Sequence, residues 1–523
     1  MDTILTGRSI IGRERGSETG VTFRAFDPVT GSEVEPAFHS ATLEELDRAA
    51  SLADRARIPY GSLPGKTRAA FLRVIADKIE ALGDALIERA TLETGLPNAR
   101  FVGERGRTCG QLRMFADLLD DGSWVDARID HAIPDRQPIP KPDVRSMLRP
   151  IGPVAVFCAS NFPLAYSVAG GDTASALAAG CPVIVNAHFA HPGTAELVGI
   201  AVSEAAKECE MPEGVFSLIF SKGIEIGQAL VKHPAIKAVG FTGSRTGGRA
   251  LMDAAASRPE PIAVYAEMSS VNPTFILPSA VKERGEAIAA GLHASVTGGV
   301  GQFCTKPGLV FIANSDTRDE FISNFRSQIS DTAPAPLLTA GIRDKYVEAN
   351  GHRKAELPDP DSNDTAELAG FSVVPSVFET DTGTFLSEPD LGDEIFGPTT
   401  LLIRSNSHDE LLAIARSLEG QLTASVHGTE DDLHEYADLI SILETKVGRL
   451  IFNGFSTGVE VCPSMVHGGP YPATSDSRTT AVGTRAIERF ARLVCFQNFP
   501  DASLPPELQR SNPLGIKRMV DGA

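Results

Sequence analysis

From residue 151 onward, short apolar segments alternate with helical ones, and this alternation constrains the fold more than any other feature. The predicted strands, apolar almost throughout, cover 154–159, 182–187, 215–220, 238–243 and 262–267. The predicted helices between them include 168–179, 192–209 and 223–232. A second set follows, with strands at 273–277 and 309–314 and helices at 280–298 and 317–329. Such alternation is typical of parallel sheets covered on both faces, where ligands bind at the carboxyl ends of the strands.

The segments around these two sets have other compositions. Apolar residues spaced three and four apart predict helices over 41–57, 65–97 and 99–120. Asp, Pro and alternating residues at 121–150 favour extended arms. We expect these arms and the segment 464–523 to form an oligomerisation module of a homodimer or homotetramer, since strand addition between subunits covers an exposed sheet edge. Composition also predicts a surface loop at 353–368, a non-helical segment at 463–484 and loops at 499–513.

Charge and cysteine content exclude several classes of protein. The 523 residues carry a formal net charge of −19, which argues against nucleic acid or an anionic membrane as partner because phosphate is repelled. Seven cysteines, an odd number without a CxxC pair, indicate free thiols in a reducing compartment. We find no signal peptide and no run of 18 apolar residues, so we expect a cytoplasmic enzyme without a transmembrane helix.

Cys304 is the candidate nucleophile. It lies in GGVGQFCTKPG, between the predicted helix 280–298 and the predicted strand 309–314. A Gly-rich loop lets the backbone approach a ligand closely and leaves N–H groups free to donate. The reactive form is the thiolate, which is a few per cent of an ordinary thiol at neutral pH. By itself this context is equally compatible with a buried, unreactive cysteine.

Two further candidates follow predicted strands. Glu267 ends the apolar segment IAVYAE, where partial burial raises the pKa of a carboxyl towards neutrality and suits it to act as a general base. Asn161 follows strand 154–159, where a side-chain amide can donate to a developing oxyanion. Each has a plain structural alternative: a helix N-cap or surface carboxylate for Glu267, and a turn residue for Asn161.

The segment GFTGSRTGG at 240–248 is another predicted strand-to-helix turn. Its glycines 243 and 248 resemble a turn that holds phosphate at a helix N-terminus. The segment lacks GxGxxG, so it does not indicate a conventional dinucleotide-binding turn.

Together these segments occur in an order that resembles the aldehyde dehydrogenase superfamily over nearly the whole chain. The matching stretches are SNFP, GCPVIV, HPGT, FTGS, the lone Glu267, GQFC and EIFGP. Longer stretches, including SNFPLAYSVAGGDTASALAAGCPV and VHGGPYPATSDSRTTAVGTRAIERF, are similar to an NADP-preferring branch. That branch contains α-ketoglutaric semialdehyde (2,5-dioxopentanoate) dehydrogenases and bacterial fatty aldehyde dehydrogenases, and the C-terminal pattern VCFQNFPDASLPPEL favours the first.

The resemblance implies an aldehyde dehydrogenase-like α/β fold with two Rossmann-like parallel-sheet domains and the extended-arm oligomerisation module. The implied cofactor-binding domain covers 1–126 and 151–268. The implied catalytic domain covers 269–463 and contains Cys304. The arms are then 127–150 and 464–523.

The resemblance also implies roles for the site residues. Cys304 attacks the aldehyde, its own N–H and the Asn161 amide hold the oxyanion, and Glu267 activates water to hydrolyse the thioester. Glu394 holds the nicotinamide ribose and Phe396 packs nearby. No metal is needed, because these groups already provide for acyl chemistry.

The residues expected around the adenosine ribose bear on the preference between NADP and NAD. The family usually has Lys where this chain has Asn186, and NAD-preferring members have Glu where it has Phe189. Without the Glu, no carboxylate repels a 2′-phosphate, which favours NADP over NAD. Without the Lys, an attracting cation is missing. His188 or Arg245 would have to compensate, and Gly243, Ser244 and Gly248 would complete the cofactor site.

For the substrate, the helix containing GERGRTCGQLRMF should line the access tunnel. Arg107 and Gln111 are four residues apart and would share a face, where an Arg suits the far carboxylate of a dicarboxylic semialdehyde. A solvated helix Arg is the alternative. Phe162 and Tyr166 would supply an aromatic wall.

The predicted activity is therefore NAD(P)-dependent oxidation of an aldehyde to an acid, with α-ketoglutaric semialdehyde as the favoured substrate. Long-chain or general aliphatic aldehydes are the alternative substrates. A catalytically inactive binding paralogue, and a dehydrogenase that passes the thioester to phosphate or coenzyme A, are the alternatives of other classes. The intact set of Asn161, Glu267 and Cys304 argues against the paralogue, and Glu267 argues for water as acceptor.

Overall fold

The computed structural model describes residues 5–18, 20–357 and 368–523. The strands are β1 Ile10–Ile11, β2 Glu14–Arg15, β3 Thr22–Asp27, β4 Ser32–His39, β5 Arg128–Asp130, β6 Val144–Pro150, β7 Val154–Phe157, β8 Val183–Ala187, β9 Phe216–Phe220, β10 Ala238–Thr242, β11 Ala263–Glu267, β12 Thr274–Ile276, β13 Leu309–Ile312, β14 Ala335–Pro336, β15 Ser372–Val373, β16 Ser376–Asp381, β17 Thr399–Arg404, β18 Gln421–His427, β19 Val447–Phe452, β20 Ala491–Gln497 and β21 Met519–Val520. The α-helices are α1 Leu43–Gly61, α2 Gly65–Ala81, α3 Gly83–Thr94, α4 Asn98–Asp121, α5 Gly171–Ala179, α6 Pro192–Glu208, α7 Glu225–Lys232, α8 Arg245–Ala256, α9 Pro278–Thr297, α10 Arg318–Ser330, α11 Ala340–Glu356, α12 Thr382–Ser387, α13 His408–Ser417, α14 Glu430–Glu435 and α15 Ala437–Glu444.

Two sheets carry the architecture, as the alternating segments predict. The first has the order β11-β10-β7-β8-β9-β1-β2, in which β11 to β9 are parallel and β1 and β2 add an antiparallel edge. The second has the order β16-β17-β13-β12-β18-β19 and is parallel throughout. The α/β fold class with parallel sheets is confirmed.

Each sheet is buried on both faces, which explains the continuously apolar strands. In β8, Val183 and Val185 pack into one core while Ile184 packs into another on the opposite face. In β12, Phe275 and Ile276 divide between two further cores in the same way. Successive side chains of a strand point to opposite faces, so both must be apolar when helices cover both.

A third sheet has the order β20-β6-β5-β21 and joins the predicted arms to the C-terminal segment. β20 and β6 pair antiparallel over seven residues each. The predicted extended conformation of 121–150 is therefore correct for the part from β5 to β6. The use of this sheet for oligomerisation, and the predicted domain boundaries, stay predictions.

Local predictions differ from the structure at three places. The predicted helix 65–97 is two helices, α2 and α3, separated at Leu82–Gly83, where Gly83 has a φ of 58° that favours glycine. The hairpin of β3 and β4 was not predicted. The predicted loop 353–368 was partly wrong: residues 353–356 complete the last turn of α11, and 358–367 lie outside the described residues.

Two further observations concern the chain as a whole. All seven cysteines are free thiols, as predicted. Among the described helices, none is both long enough and apolar enough to span a bilayer.

Candidate active site

Three predicted site residues follow the carboxyl ends of three neighbouring strands. Glu267 is the last residue of β11, Gly243 follows β10, and Asn161 lies shortly after β7. These strands are parallel and adjacent, with Thr242 of β10 paired to Glu267 of β11. The sheet therefore brings all three to one edge, where α/β proteins bind ligands.

Cys304 reaches this edge from the second sheet, in the loop between α9 and β13. Buried Asn272 anchors that loop: its Nδ2 donates to the carbonyls of Cys304 at 2.8 Å and Lys306 at 3.0 Å. Gly301 has a φ of 65°, and a Cβ there would collide with the backbone of Gly397. A close approach and a positive φ both require glycine at this position.

His467 joins Cys304 and Glu267 in one cluster, in which Glu267 and His467 are buried and Cys304 is partly exposed. Its Nε2 lies 2.9 Å from the Glu267 carboxylate and 3.7 Å from the Cys304 Sγ. One ligand atom from each of the three side chains falls within 4.8 Å of the others. The contact to Glu267 has ion-pair distance but not hydrogen-bond geometry, so both carboxylate oxygens remain able to accept from a water or a thiol.

The electrostatics of this cluster correct one expectation. Burial raises the pKa of Glu267, as predicted, but the contact with His467 at 2.9 Å opposes this effect, and the net pKa lies below its ordinary value. Burial and the neighbouring Glu267 raise the pKa of the Cys304 thiol well above its usual range. The resting site therefore holds a thiol beside a carboxylate, and that carboxylate is placed to receive the thiol proton.

Asn161 lies where an oxyanion donor is needed. It is buried, and its Nδ2 donates to the carbonyl of Gln302 at 2.9 Å, which leaves the second hydrogen of that amide free. The backbone N–H of Cys304 donates to no group within the described residues. Two unengaged donors thus lie next to the nucleophile.

A cavity of about 500 Å³ opens beside Cys304, a volume typical of small-molecule sites. Its walls include five other residues predicted from the sequence: Asn161, Gly243, Ser244, Glu394 and Phe396. The cavity fits a nicotinamide riboside, because the Glu394 carboxylate can accept from ribose hydroxyls and Phe396 offers an apolar wall. Ser244 also caps α8, accepting from the N–H of Gly247 at 3.2 Å.

Lys306 holds the loop that carries Glu394. It is buried, and its Nζ donates to the carbonyls of Ile395 at 2.9 Å and Thr399 at 2.7 Å. Burial raises the pKa of Glu394 and lowers that of Lys306, while the attraction between them opposes both shifts. Lys306 therefore ties the nucleophile loop to the loop that contains Glu394.

The residues predicted for the adenosine end do not line this cavity. Asn186 lies near the end of β8 and accepts from the Ser221 hydroxyl at 2.7 Å. His188 cannot supply the missing cation, because burial and the neighbouring His191 lower its pKa to about 3 and leave it neutral. Arg245 cannot do so freely either, since it pairs with Glu419 at 2.8 Å. The lowered pKa of His188 therefore disfavours compensation by this residue, and the roles of His188 and Arg245 at the cofactor stay predictions.

Gly248 also has a structural role: its N–H donates within α8, and a Cβ there would collide with Met268. An exposed cation is nevertheless present near Asn186. Lys222 directly follows Ser221, the hydrogen-bond partner of Asn186, and its side chain is exposed.

On the substrate side, the predicted aromatic wall is continuous. The ring centroid of Phe162 lies 5.2 Å from that of Tyr166 and 5.6 Å from that of Phe303, and Tyr166 lies 5.9 Å from His467. Arg107 reaches this wall, donating to the Tyr166 hydroxyl at 3.3 Å.

Gln111 does not reach the aromatic wall with Arg107. It is buried against the beginning of α5, 3.0 Å from where a Cβ of Gly171 would lie, and its Nε2 has no partner within the described residues. Its predicted role at the substrate stays a prediction.

Sequence reasoning missed His467, Lys306 and Asn272. No local signal marks any of them, because each acts through a partner far away in the chain; His467 and Cys304 are 163 residues apart. The VHGGPYPATSD stretch that contains His467 stands out only for its resemblance to the family.

Comparison with known proteins agrees with this geometry. The sequence profile of the aldehyde dehydrogenase family matches residues 15–471. The chain is 51% identical to alpha-ketoglutaric semialdehyde dehydrogenase 2 of Azospirillum brasilense over 521 residues, covering 99% of both chains. It is 45% identical to alpha-ketoglutaric semialdehyde dehydrogenase of Acinetobacter baylyi over 519 residues, covering 99% of this chain and 98% of the other.

Among solved structures, the fold resembles aldehyde dehydrogenase C of Pseudomonas syringae, crystallised as a mutant in complex with NAD+ and octanal. The TM-score is 0.80 at 22% identity, with 95% of this chain and 98% of the other covered. That likeness supports the fold, and the profile and the two relatives support the family. The chain belongs to the aldehyde dehydrogenase family.

Proposed function

We propose that the enzyme oxidises α-ketoglutaric semialdehyde to α-ketoglutarate, with NADP as the preferred acceptor and NAD as a second one. The observation that carries the chemistry is the cluster of Cys304, Glu267 and His467 within 4.8 Å. The substrate is supported by two near full-length relatives that bear this name, at 51% and 45% identity. Arg107 at the aromatic wall adds a cation suited to a carboxylate.

In the first half of the proposed reaction, the Cys304 Sγ forms a bond to the aldehyde carbon. The thiol proton passes to the Glu267 carboxylate, whose low pKa keeps it ionised and ready to accept. The carbonyl oxygen becomes an oxyanion held by the Asn161 amide and the Cys304 N–H, at roughly 2.7–4 kcal/mol per donor. The nicotinamide coenzyme, when bound, supplies the acceptor for the hydride that leaves the substrate carbon.

In the second half, the acyl group is a thioester on Cys304. The proton that Glu267 received from the thiol first passes to solvent, which restores the carboxylate. Glu267 then takes a proton from water, the resulting hydroxide attacks the thioester carbon, and the carbon–sulfur bond breaks. The thiolate leaves and the carboxylic acid is released. His467, in contact with both Glu267 and Cys304, holds the carboxylate towards the sulfur throughout.

The preference for NADP is supported by the adenosine end. Neither Asn186 nor Phe189 is a carboxylate, so nothing at these two positions repels a 2′-phosphate. Exposed Lys222, next to the hydrogen-bond partner of Asn186, is our candidate for the phosphate-binding cation.

Steady-state kinetics with α-ketoglutaric semialdehyde and hexanal, each with NADP and NAD, test this proposal. We expect kcat/KM for the keto-semialdehyde to exceed that for hexanal by at least about 10-fold, since a charge-assisted pair contributes roughly 1.5–3 kcal/mol. A preference for hexanal would assign the enzyme to aliphatic aldehydes instead. Acyl-CoA formation in a reaction supplied with coenzyme A would overturn water as the acceptor.

We also propose a cytoplasmic homo-oligomer that associates through the sheet of β20, β6, β5 and β21. Large apolar side chains are exposed on or next to this sheet: Ile133, Ile139, Leu493, Phe499 and Met519. An exposed apolar surface of this kind is typical of a subunit interface. Light scattering of the purified chain distinguishes monomer, dimer and tetramer.

A further inference from the structure

Two guanidinium groups on the substrate side are held by neutral partners. Arg107, on α4, donates to the carbonyl of Val459 and to the Tyr166 hydroxyl. Arg449, on β19, donates to the carbonyls of Gly458 at 3.1 Å and Ser456 at 2.8 Å. The two arginines therefore meet at one short loop, 456–459, from opposite elements of the fold.

Neither guanidinium forms an ion pair within the described residues, and in both the Nε is buried without a hydrogen-bond partner there. Arg100 and Arg489, by contrast, pair with Glu104 at 3.2 Å and with Asp172 at 2.8 Å. Arg258 is also held by carbonyls alone, those of Val231 and Ile236 at 3.0 Å among them, but it has no second arginine at the same loop. Backbone carbonyls satisfy N–H donors but cannot neutralise a charge. Partial burial of a cation without an anion has a desolvation cost, so two such cations at one loop point to an anion supplied by a ligand.

The position of this pair relative to the nucleophile is set by a chain of contacts. Tyr166 receives the Arg107 hydrogen bond and packs on His467, which lies 3.7 Å from the Cys304 sulfur. Burial lowers the pKa of Arg449, and the groups that raise it are Cys304 and Tyr166, with no carboxylate among them. Arg107 likewise acts on Cys304, lowering the pKa of its thiol against the larger effect of burial.

We infer that Arg107 and Arg449 form a two-guanidinium subsite that binds the carboxylate end of a short semialdehyde while Cys304 holds the aldehyde end. This inference rests on the proposed function and adds Arg449 as a specificity-determining residue. A guanidinium has five N–H donors, and Arg449 uses two of its own on the loop, so donors remain for a carboxylate or an adjacent keto oxygen. The α-keto acid end of the proposed substrate presents both acceptors side by side.

Three five-carbon aldehydes separate the effect of the carboxylate on kcat/KM from that of the keto group. They are pentanal without a carboxylate, 5-oxopentanoate with one, and α-ketoglutaric semialdehyde with a carboxylate and a keto group. For R449M we expect kcat/KM for both carboxylated substrates to fall about 30-fold relative to pentanal, which equals about 2 kcal/mol. R449K keeps the charge but loses the planar fork, so we expect a smaller fall. An equal loss on all three aldehydes would overturn the inference and leave Arg449 a loop-holding residue.

R284M is the matched control. Arg284 also donates to a backbone carbonyl, that of Gly428 at 3.1 Å, and to the Asn453 side chain near the end of β19. It lies outside the proposed subsite, so its substitution should leave the ratios between the three aldehydes within about 2-fold. A fall for R284M equal to that for R449M would also overturn the inference, since general loosening of β19 would then explain both.

Inhibition by glutarate, measured with pentanal as substrate, separates this inference from the proposed function. In one outcome, the wild type does not prefer the keto-semialdehyde, but glutarate competes with pentanal and R449M weakens that inhibition at least 10-fold. The proposed substrate is then wrong, and the proposed subsite is supported. If the wild type prefers the keto-semialdehyde and R449M does not change the glutarate inhibition, the proposed function stands and the subsite is overturned.

Discussion

The two ends of the proposed cofactor and substrate site are built differently. At the chemical end, Glu267, Cys304 and His467 come from three distant segments and meet within 4.8 Å. At the adenosine end, Asn186 and His188 lie two residues apart in the chain, and both are uncharged at neutral pH. The first end depends on tertiary packing and strong electrostatic coupling, whereas the second depends on partly buried neutral groups that are close in sequence.

This difference indicates at which end substitutions should have the larger effect on activity. The chemical end is fixed by buried hydrogen bonds, such as those of Asn272 and Lys306, in a region of low dielectric where each interaction is strong. The cation proposed for the adenosine end, Lys222, is exposed to solvent, where charge interactions are weak and screened by salt. We therefore expect large effects at the first and small ones at the second.

The largest expected effect is at the nucleophile. C304A should lower aldehyde-dependent NADPH formation by roughly 10³-fold or more, because no other group can form the thioester. The control is C462S, which removes another partly exposed free thiol and should change the rate less than about 2-fold. Retention of a substantial rate by C304A would show that the chemical end is assigned to the wrong residue.

An intermediate effect is expected for H467Q, which keeps a polar side chain but removes the imidazole that contacts Glu267. Without the contact to His467, less opposes the effect of burial on Glu267, so the pKa of Glu267 rises. The carboxylate is active above its pKa and is lost as the pH falls through it, so the acidic limb of the kcat/KM profile should move to higher pH. At neutral pH we expect a loss of about 10-fold. An acidic limb that stays in place would contradict the coupling of His467 to Glu267.

The smallest effect is expected at the adenosine end. K222A should raise the KM for NADP about 5-fold relative to that for NAD, as loss of a screened phosphate contact of about 1 kcal/mol requires. H188A is the control and should change the NADP-to-NAD ratio less than about 2-fold, since His188 is neutral. A larger effect of H188A than of K222A would reverse our assignment of the cation.

Much of the fold was predictable because its signal is local. The strand β8 was predicted within one residue of its bounds, since apolar residues on both faces give a continuous run. The division of the predicted helix 65–97 was not, because a single Gly83 with positive φ breaks a periodicity that continues on either side. The pairing of β1 with β9 joins segments about 200 residues apart, and short edge strands have no pattern of their own.

The sequence alone determined the order of Asn161, Glu267, Cys304 and Glu394. It also determined the parallel α/β sheets that carry them, because motifs and the hydrophobicity of a strand can be read from short segments of the chain. Only the tertiary structure decided the ionisation of Glu267, the neutrality of His188 and the meeting of Arg107 with Arg449 at one loop. These properties depend on burial and on distances between residues far apart in the chain. A charge acts through space, and its neighbours are known only once the chain is folded.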